Sequence, residues 1–342
     1  MQPKIIAEIS GNHNGNLKLA LDSISAAHTA GADMIKIQTY EPSCLTMQSN
    51  NDYFLIDSGT IWDKENLYSL YQKAHTPFAW HKDLFNHAKK IGATLFSSPF
   101  SLRGLELLES LDCPMYKIAS FEIIDLELIK AVASTKKPII ISTGIAYKNE
   151  IQEALNAASK SSDITLLLCT SSYPAPLESM NLLALNELKK YGVKVGLSDH
   201  SIGSLCPILA TALGASVIEK HFILDRSLGG VDSSFSMQKD EFEQMCKDVK
   251  NAYLALGKQE NKFLDSSDDL FYTCVDKSSN RAFARSIFVI KDIKQGEELN
   301  KENIKVIRPG FGLHPRFFNQ VLGKKATKFL KKATPLTKED FS

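Results

Sequence analysis

The sequence predicts an α/β protein: a closed parallel (β/α)8 barrel of the TIM type, followed by a small β-rich C-terminal domain. Three observations carry this expectation. Up to Leu256, eight short apolar runs alternate with segments of helical periodicity. Joints such as "TAGADMIKIQT" and "KKIGATLFSSP" end a helix at glycine and start an apolar strand at once. Beyond Leu256 the composition turns polar and rich in Gly, Ser and Asp ("GKQENKFLDSSDD", "DKSSN"), and β-type patterning resumes at Arg281. A doubly wound open sheet is the competing arrangement; a count of eight units favours closure.

Taken in order, the strands are expected at Ile5–Ile9, Met34–Gln38, Thr94–Ser97 and Tyr116–Ala119, then Ile139–Ser142, Thr165–Cys169, Lys194–Leu197 and Val217–Lys220. Helical patterns follow most of them, as at Leu17–Ala30 and Asp125–Ser134. The connection from Thr39 to Thr76 is long and holds Trp62, Tyr40, Tyr53, Tyr68 and Tyr71, which suits a binding loop or lid. His75, His81 and His87 flank or ride on the next helix and read as surface or lid residues, and His28 sits on the first helix. These boundaries give a barrel over 1–265, a linker over 266–280 and a second domain over 281–342. Two phrases recur in that domain, "KDIKQGEELNKENI" and "KFLKKATPLTKEDF", and it also carries His314.

Bulk properties narrow the function. The chain has 342 residues, 44% of them apolar, enough for a sizeable core. With 40 basic and 39 acidic residues the net charge is +1, which argues against general binding of nucleic acid or other polyanions. No apolar run is long enough to span a membrane. The opening "KIIAEIS" reads as a strand, not as a secretory leader. Six cysteines are scattered without a CxxC pair, so reduced thiols in a cytoplasmic protein are expected.

In a parallel barrel, working residues come from the C-terminal strand ends. Here those ends are polar throughout. Strand 1 offers Glu8 and then His13 within "SGNHNGN", a candidate substrate contact without the spacing of a nucleotide-binding loop. Strands 2 and 3 offer Lys36, Gln38 and Ser98; strand 4 offers Lys117, Ser120 and Glu122. Strand 6 ends in Ser171 and Tyr173, strand 7 in Ser198, Asp199 and His200, and strand 8 in Glu219, Lys220 and His221. A lysine flanked by apolar residues, as in "MIKIQ" and "YKIAS", needs an anion or a carboxylate beside it. Lys36 and Lys117 with the hydroxyls of Ser98, Ser120 and Ser198 would cradle a phosphate; the alternative is that each lysine pairs with Glu8, Glu122 or Glu219. His200 and His221 close neighbouring strands and could share one metal ion, or each could be an ordinary satisfied polar group. With Glu8, Glu122 or Asp232 and water adding oxygen, the donor mix suits Mn²⁺, and Mg²⁺, Co²⁺ or Zn²⁺ would also fit.

"IAEISGNHNGNLKLAL", "AGADMIKIQTY", "FSSPFS", "YKIASFE", "ISTGIA", "CTSSYPAP", "GLSDHSIG" and "GASVIEKHFILDRSLGGVDSSFS" resemble, in order and spacing, the motifs of sialic acid synthases. "RPGFGLHPRF" followed by "LGKKA" resembles their small antifreeze-like (SAF) domain, so the resemblance covers nearly the whole chain. "IWDKENLYSLYQKAHTPFAWH" is most similar to the pseudaminate-forming branch in flagellated bacteria. The resemblance implies an enzyme that condenses phosphoenolpyruvate with an open-chain amino sugar, here 2,4-diacetamido-2,4,6-trideoxy-L-altrose. The C–O bond of phosphoenolpyruvate breaks, and a nonulosonic acid and phosphate result. It also implies a divalent ion, Mn²⁺ foremost, and a domain-swapped homodimer.

Residue by residue, the resemblance assigns the metal to His200 and His221. Phosphoenolpyruvate falls to Lys36, Ser98, Lys117, Ser120 and Ser198. Glu8, Gln38, Glu122, Tyr173 and Asp232 match catalytic or sugar-end positions, with Glu122 expected to steer the attacking water. Ser171 stands where relatives commonly carry Asn, a shorter reach for the same hydrogen bond. Arg308 matches an arginine that enters the partner's active site. Rival readings are N-acetylmannosamine or 2,4-diacetamido-2,4,6-trideoxymannose as the sugar, giving sialate or legionaminate. Others are a sugar- or ice-binding protein on an inactive barrel, and a Schiff-base aldolase using Lys117 or Lys220.

Overall fold

The computed structural model describes residues 2–57, 59–256 and 282–342. They fall into two compact units, one on either side of residues 257–281. The expected linker at 266–280 and the seams at 265 and 281 lie outside the described residues.

In the larger unit eight parallel strands pair in chain order, and the first pairs with the eighth, closing the barrel. They are β1 Lys4–Glu8, β2 Met34–Thr39, β3 Leu95–Pro99, β4 Tyr116–Ile118, β5 Ile139–Ser142, β6 Ile164–Cys169, β7 Lys194–Asp199 and β8 Val217–Ile223. The open sheet is thereby excluded. Four strands run further than expected, β2 to Thr39, β3 to Pro99, β7 to Asp199 and β8 to Ile223, so His221 lies within β8 and not after it.

Local chemistry starts and stops the helices. Asn16, Ser101 and Asp125 each accept a backbone N–H from the first turn of the helix that follows, at 3.2, 3.1 and 3.0 Å. Gly92 ends the helix His81–Ile91 in the left-handed conformation that glycine alone adopts cheaply. Alternation along each strand then sorts the side chains. Ile5 and Ala7 face outward onto Ala20 and Ile24 of the first helix, while Ile6 joins the cluster that includes Phe96, Ile140 and Leu167. Each such aliphatic side chain contributes about 1.5–3 kcal/mol by leaving water. One layer nearer the C-terminal rim, the inward positions turn polar.

Within the long connection from Thr39 to Thr76, Pro42–Leu45 and Leu67–Ala74 are helical. Among the described residues no helix is long and apolar enough to cross a membrane, and Cys44, Cys113, Cys169, Cys206 and Cys246 are free thiols.

The smaller unit pairs Ser286–Val289 with Ile304–Ile307 antiparallel. Its core includes Ile287, Ile293, Leu299, Leu330 and Leu336. The two repeated phrases take matching structures. Ile293 and Leu330 exchange backbone hydrogen bonds at 2.9 and 2.8 Å. Gly296 and Ala333 occupy equivalent places and both have positive φ, 80° and 70°. Asn303 and Asp340 each accept the backbone N–H three residues earlier, at 2.8 and 2.7 Å.

Candidate active site

The inward positions nearest the C-terminal rim form a buried polar layer. Glu8, Lys36, Ser98, Lys117, Ser142, Ser198 and Glu219 are all buried. Lys36 is ion-paired to Glu8 and lies 3.8 Å from Glu219, and Lys117 approaches the same Glu219 at 3.6 Å. Hydroxyls complete the layer. Ser98 accepts from Lys36 at 3.4 Å, Ser142 from Lys117 at 2.6 Å, and Ser198 donates to Glu219 at 3.2 Å. Both lysines are thus matched by carboxylates, Lys36 by Glu8 and Glu219, and Lys117 by Glu219. Among the described residues Glu122 forms no ion pair.

Burial sets the proton affinities. It pushes Glu8 up to about 6, because the attraction of Lys36 is opposed by the second carboxylate, Glu219. Burial also raises Glu219, but Lys117 and Lys36 together outweigh it and hold that group below the usual carboxylate range. Lys117 is depressed, burial outweighing Glu219, whereas burial of Lys36 is overcome by Glu219 and Glu8. Glu122, in the short turn Ser120–Glu122 after β4, is pushed up to about 7, again by burial, and its Oε2 has no hydrogen-bond partner. Asp232 is buried, raised by burial, and accepts Gly11 N–H at 3.4 Å.

Above this layer stand the two histidines, their ring centroids 5.3 Å apart. His200 donates from Nδ1 to the carbonyl of Thr170 at 2.9 Å. Burial, which lowers its proton affinity, is outweighed by contacts with Cys169, Thr170 and Asp199 that raise it, so Nε2 is the nitrogen that would offer a lone pair once the ring gives up its second proton. His221 is held well below the usual imidazole range by burial, with the positive field of His200 and the lysines adding to it. It is therefore neutral, and its buried Nδ1 has no hydrogen-bond partner among the described residues. An unsatisfied neutral imidazole beside one whose free nitrogen is fixed by a carbonyl fits a borderline metal ion. Among the described residues no third His, Cys, Asp or Glu completes a protein cage, so water or substrate oxygen would supply the remaining ligands. Tyr173 packs on His200 at 4.3 Å, Phe235 on His221 at 5.0 Å, and Trp62 on Tyr173 at 5.3 Å, giving the pair an aromatic surround. Trp62 also donates to the carbonyl of Val231 at 3.0 Å, joining the long β2 connection to the loop after β8.

Other expected residues fall as follows. Gln38 is half-buried on β2, in register with Ser98. Ser120 accepts Gly144 N–H at 3.2 Å, and Ser171 lies beside it; a Cβ on Gly144 would run into both hydroxyls. Arg308 follows the second strand of the small unit. Three expectations are corrected. His13 is buried; its Nδ1 accepts Gly15 N–H at 3.1 Å and its Nε2 donates to Thr76 at 3.2 Å, which leaves no ring nitrogen for a substrate. His81 is no surface residue: it is buried between the hydroxyl of Thr39 at 2.8 Å and the carbonyl of Pro77 at 3.1 Å. Lys220 cannot be a Schiff-base lysine, since it points out of the barrel interior and is locked to Asp199 at 2.6 Å.

Sequence reasoning gave Glu219 only as an alternative partner for a lysine and assigned it no role in the site, although it approaches both lysines. The signal was present: in "VIEKHFI" a period of two puts Glu219 and His221 on one face. It also missed Phe235 and Gly144 and gave Trp62 only a general place in a binding loop or lid, because their positions depend on loops meeting across the barrel mouth.

Residues 23–261 match the NeuB family and residues 284–342 the SAF domain. The chain is 54% identical to a pseudaminic acid synthase of Helicobacter pylori, over 99% of this chain and 97% of that one. It is 48% identical to a pseudaminic acid synthase of Campylobacter jejuni, over 98% and 96%. A sialic acid synthetase structure from Leptospira borgpetersenii, with citrate bound, superposes with a TM-score of 0.70 at 31% identity, covering 81% of this chain and 90% of that one.

Proposed function

The chain belongs to the NeuB family, and from that premise we propose that it makes pseudaminic acid, condensing phosphoenolpyruvate with the open-chain form of 2,4-diacetamido-2,4,6-trideoxy-L-altrose. The observation that carries the proposal is the buried layer in which Lys36, Lys117 and Glu219 lie beneath the His200–His221 pair. An aldehyde acceptor and a trianionic donor need those two environments side by side. The 54% identity to the Helicobacter pylori pseudaminic acid synthase supports the choice of sugar.

In this reading Lys36 and Lys117, with Ser98, Ser120, Ser171 and Ser198, hold the phosphate and carboxylate of the donor. Gln38, Tyr173 and Asp232 line the sugar end. His200 and His221 would hold the divalent ion, Mn²⁺ matching the mixed nitrogen and oxygen donors, and when bound it would supply Lewis acidity to the aldehyde oxygen. C3 of the enol attacks the aldehyde carbon, and positive charge grows at C2. Glu8 and Glu219 stabilise that charge. Glu122 takes a proton from the water that adds to C2. Phosphate then leaves with the bridging oxygen, restrained by the lysines until it departs, as the C2 hydroxyl loses its proton to become the keto group and the former aldehyde oxygen gains one. The proposal includes a homodimer in which the partner subunit's Arg308 meets the sugar, and action in the cytoplasm, where phosphoenolpyruvate is made.

The test uses full-length protein loaded with Mn²⁺, phosphoenolpyruvate labelled with ¹⁸O at the C2–O bridge, and three aldehyde sugars in separate reactions. The expected result is a nonulosonic acid from the L-altro sugar, identified by mass and chromatography, with the label in the phosphate. Faster turnover of N-acetylmannosamine or of the manno diacetamido sugar would overturn the assignment of substrate. Label retained in the sugar acid would overturn the chemistry.

A further inference from the structure

We propose that Asp199 and Lys220 form a positioning clamp that fixes His200 relative to His221 and so sets the affinity of the metal site; the inference rests on those two histidines being the ligands. The pair joins β7 to β8 on the outer side of the barrel wall, where Asp199 and Lys220 are cross-strand partners. It is sealed from water, with Lys220 1% and Asp199 0% exposed, and the two groups meet at 2.6 Å. A buried ion pair is a poor source of stability, since removing two charges from water offsets their attraction. Its better attested use is to fix register.

The contacts of this pair converge on one short segment. Asp199 Oδ1 accepts the N–H of Ser201 at 2.9 Å, while its Oδ2 receives Lys220. Lys220 also donates to the carbonyl of Ser201. Both backbone polar groups of the residue after His200 are thus held by the pair, and the residue before His200 is one of its members. His200 itself is caught twice more: its carbonyl accepts Ala175 N–H at 3.0 Å, and its ring donates to Thr170. On the other strand, Lys220 immediately precedes His221. The clamp therefore grips the two ligand-bearing segments in one contact, on the face of the strands opposite to Ser198 and Glu219. Displacing the segment Asp199–Ser201 would move the His200 ring, whereas Lys36 and Lys117 stand on β2 and β4.

The test measures Mn²⁺ binding to metal-stripped full-length protein by electron paramagnetic resonance, with phosphoenolpyruvate binding to the same metal-free samples by calorimetry. His200→Ala and His221→Ala test the ligand assignment and are expected to abolish the tight Mn²⁺ site. Lys220→Met and Asp199→Asn are expected to weaken Mn²⁺ binding about tenfold to a hundredfold, the range typical for groups that orient a ligand. Lys220→Arg, which keeps the charge and the donors, should restore most of it. Phosphoenolpyruvate affinity should change less than about twofold, since its pocket is not reached by the clamp. Because a single removal leaves a lone buried charge and can prevent folding, Asp199→Leu/Lys220→Met removes both charges and should fold while showing the same Mn²⁺ loss. A folded double variant with wild-type Mn²⁺ affinity, or a parallel loss of phosphoenolpyruvate binding, would overturn the clamp. If His200→Ala and His221→Ala left Mn²⁺ binding intact, the ligand assignment would fall first and the clamp with it.

Discussion

Replacing Glu122 by glutamine separates chemistry from folding, because the two move in opposite directions. Burial raises this carboxyl from its ordinary 4.5 to about 7, and Lys117 offsets only part of the effect. The ionised form is therefore penalised in the folded protein. That penalty is fully present above pH 7, fades as pH falls through 7, and is gone below 4.5; at its full size it is about 3 kcal/mol. Glu122→Gln should therefore be more stable than the parent at pH 8, by up to that amount, and no more stable at pH 4. As a base, however, Glu122 works only when ionised. At pH 6 about one tenth of it is ionised, so kcat/KM of the parent should lie roughly tenfold below its alkaline plateau. The variant should lose that limb, and its plateau should fall by about 10²–10⁴. Phosphate release between pH 5.5 and 9 at limiting phosphoenolpyruvate gives the first quantity, and urea unfolding at pH 8 and pH 4 the second. A variant that keeps the limb near 7, or keeps most of the turnover, removes Glu122 from the water-activating step.

Two further outcomes are expected. Lys36→Met should raise the KM for phosphoenolpyruvate by about 10–100-fold, the worth of a charge-assisted hydrogen bond; adding Glu8→Gln should recover stability but not affinity, as thermal melts and kinetics on the double variant will show. His81, held neutral by burial with a value near 4 against 6.5 when unfolded, contributes stability that is complete above 6.5 and lost as pH falls toward 4. Between pH 7.5 and 5 the parent should lose about 2 kcal/mol more than His81→Gln, and parallel urea midpoints for the two proteins would contradict the neutral state.

The barrel was legible because eight apolar runs at regular spacing leave few other closures, and glycine stops such as Gly92 lie where the chain must reverse. Strand ends were less legible. Polarity was read as the end of a strand, yet β7 continues to Asp199 and β8 to Ile223, because the charged residues there find partners within the barrel wall or inside it. Burial of single histidines was not legible at all. His81 is buried against Thr39, and His13 against Thr76 and the ring of Trp80, partners set by packing and not by local pattern.

What the sequence withheld about the site was register. Read as a string, "LSDHS" and "IEKHF" look like one crowd of polar groups at the barrel mouth. Pairing Ser198 with Glu219 and Asp199 with Lys220 divides that crowd by the pleat of the strands. Ser198 and Glu219 face inward to the lysines, where charge can act on a substrate. Asp199 and Lys220 face the helices and bind each other and the loop backbone. A shift of one residue in that pairing would exchange the two sets, putting the tight ion pair in the pocket and the lysine-bridging glutamate under the helices. Neither catalysis nor the placement of His200 would survive it, so the register of β7 on β8 carries as much of the function as the identity of any side chain on them.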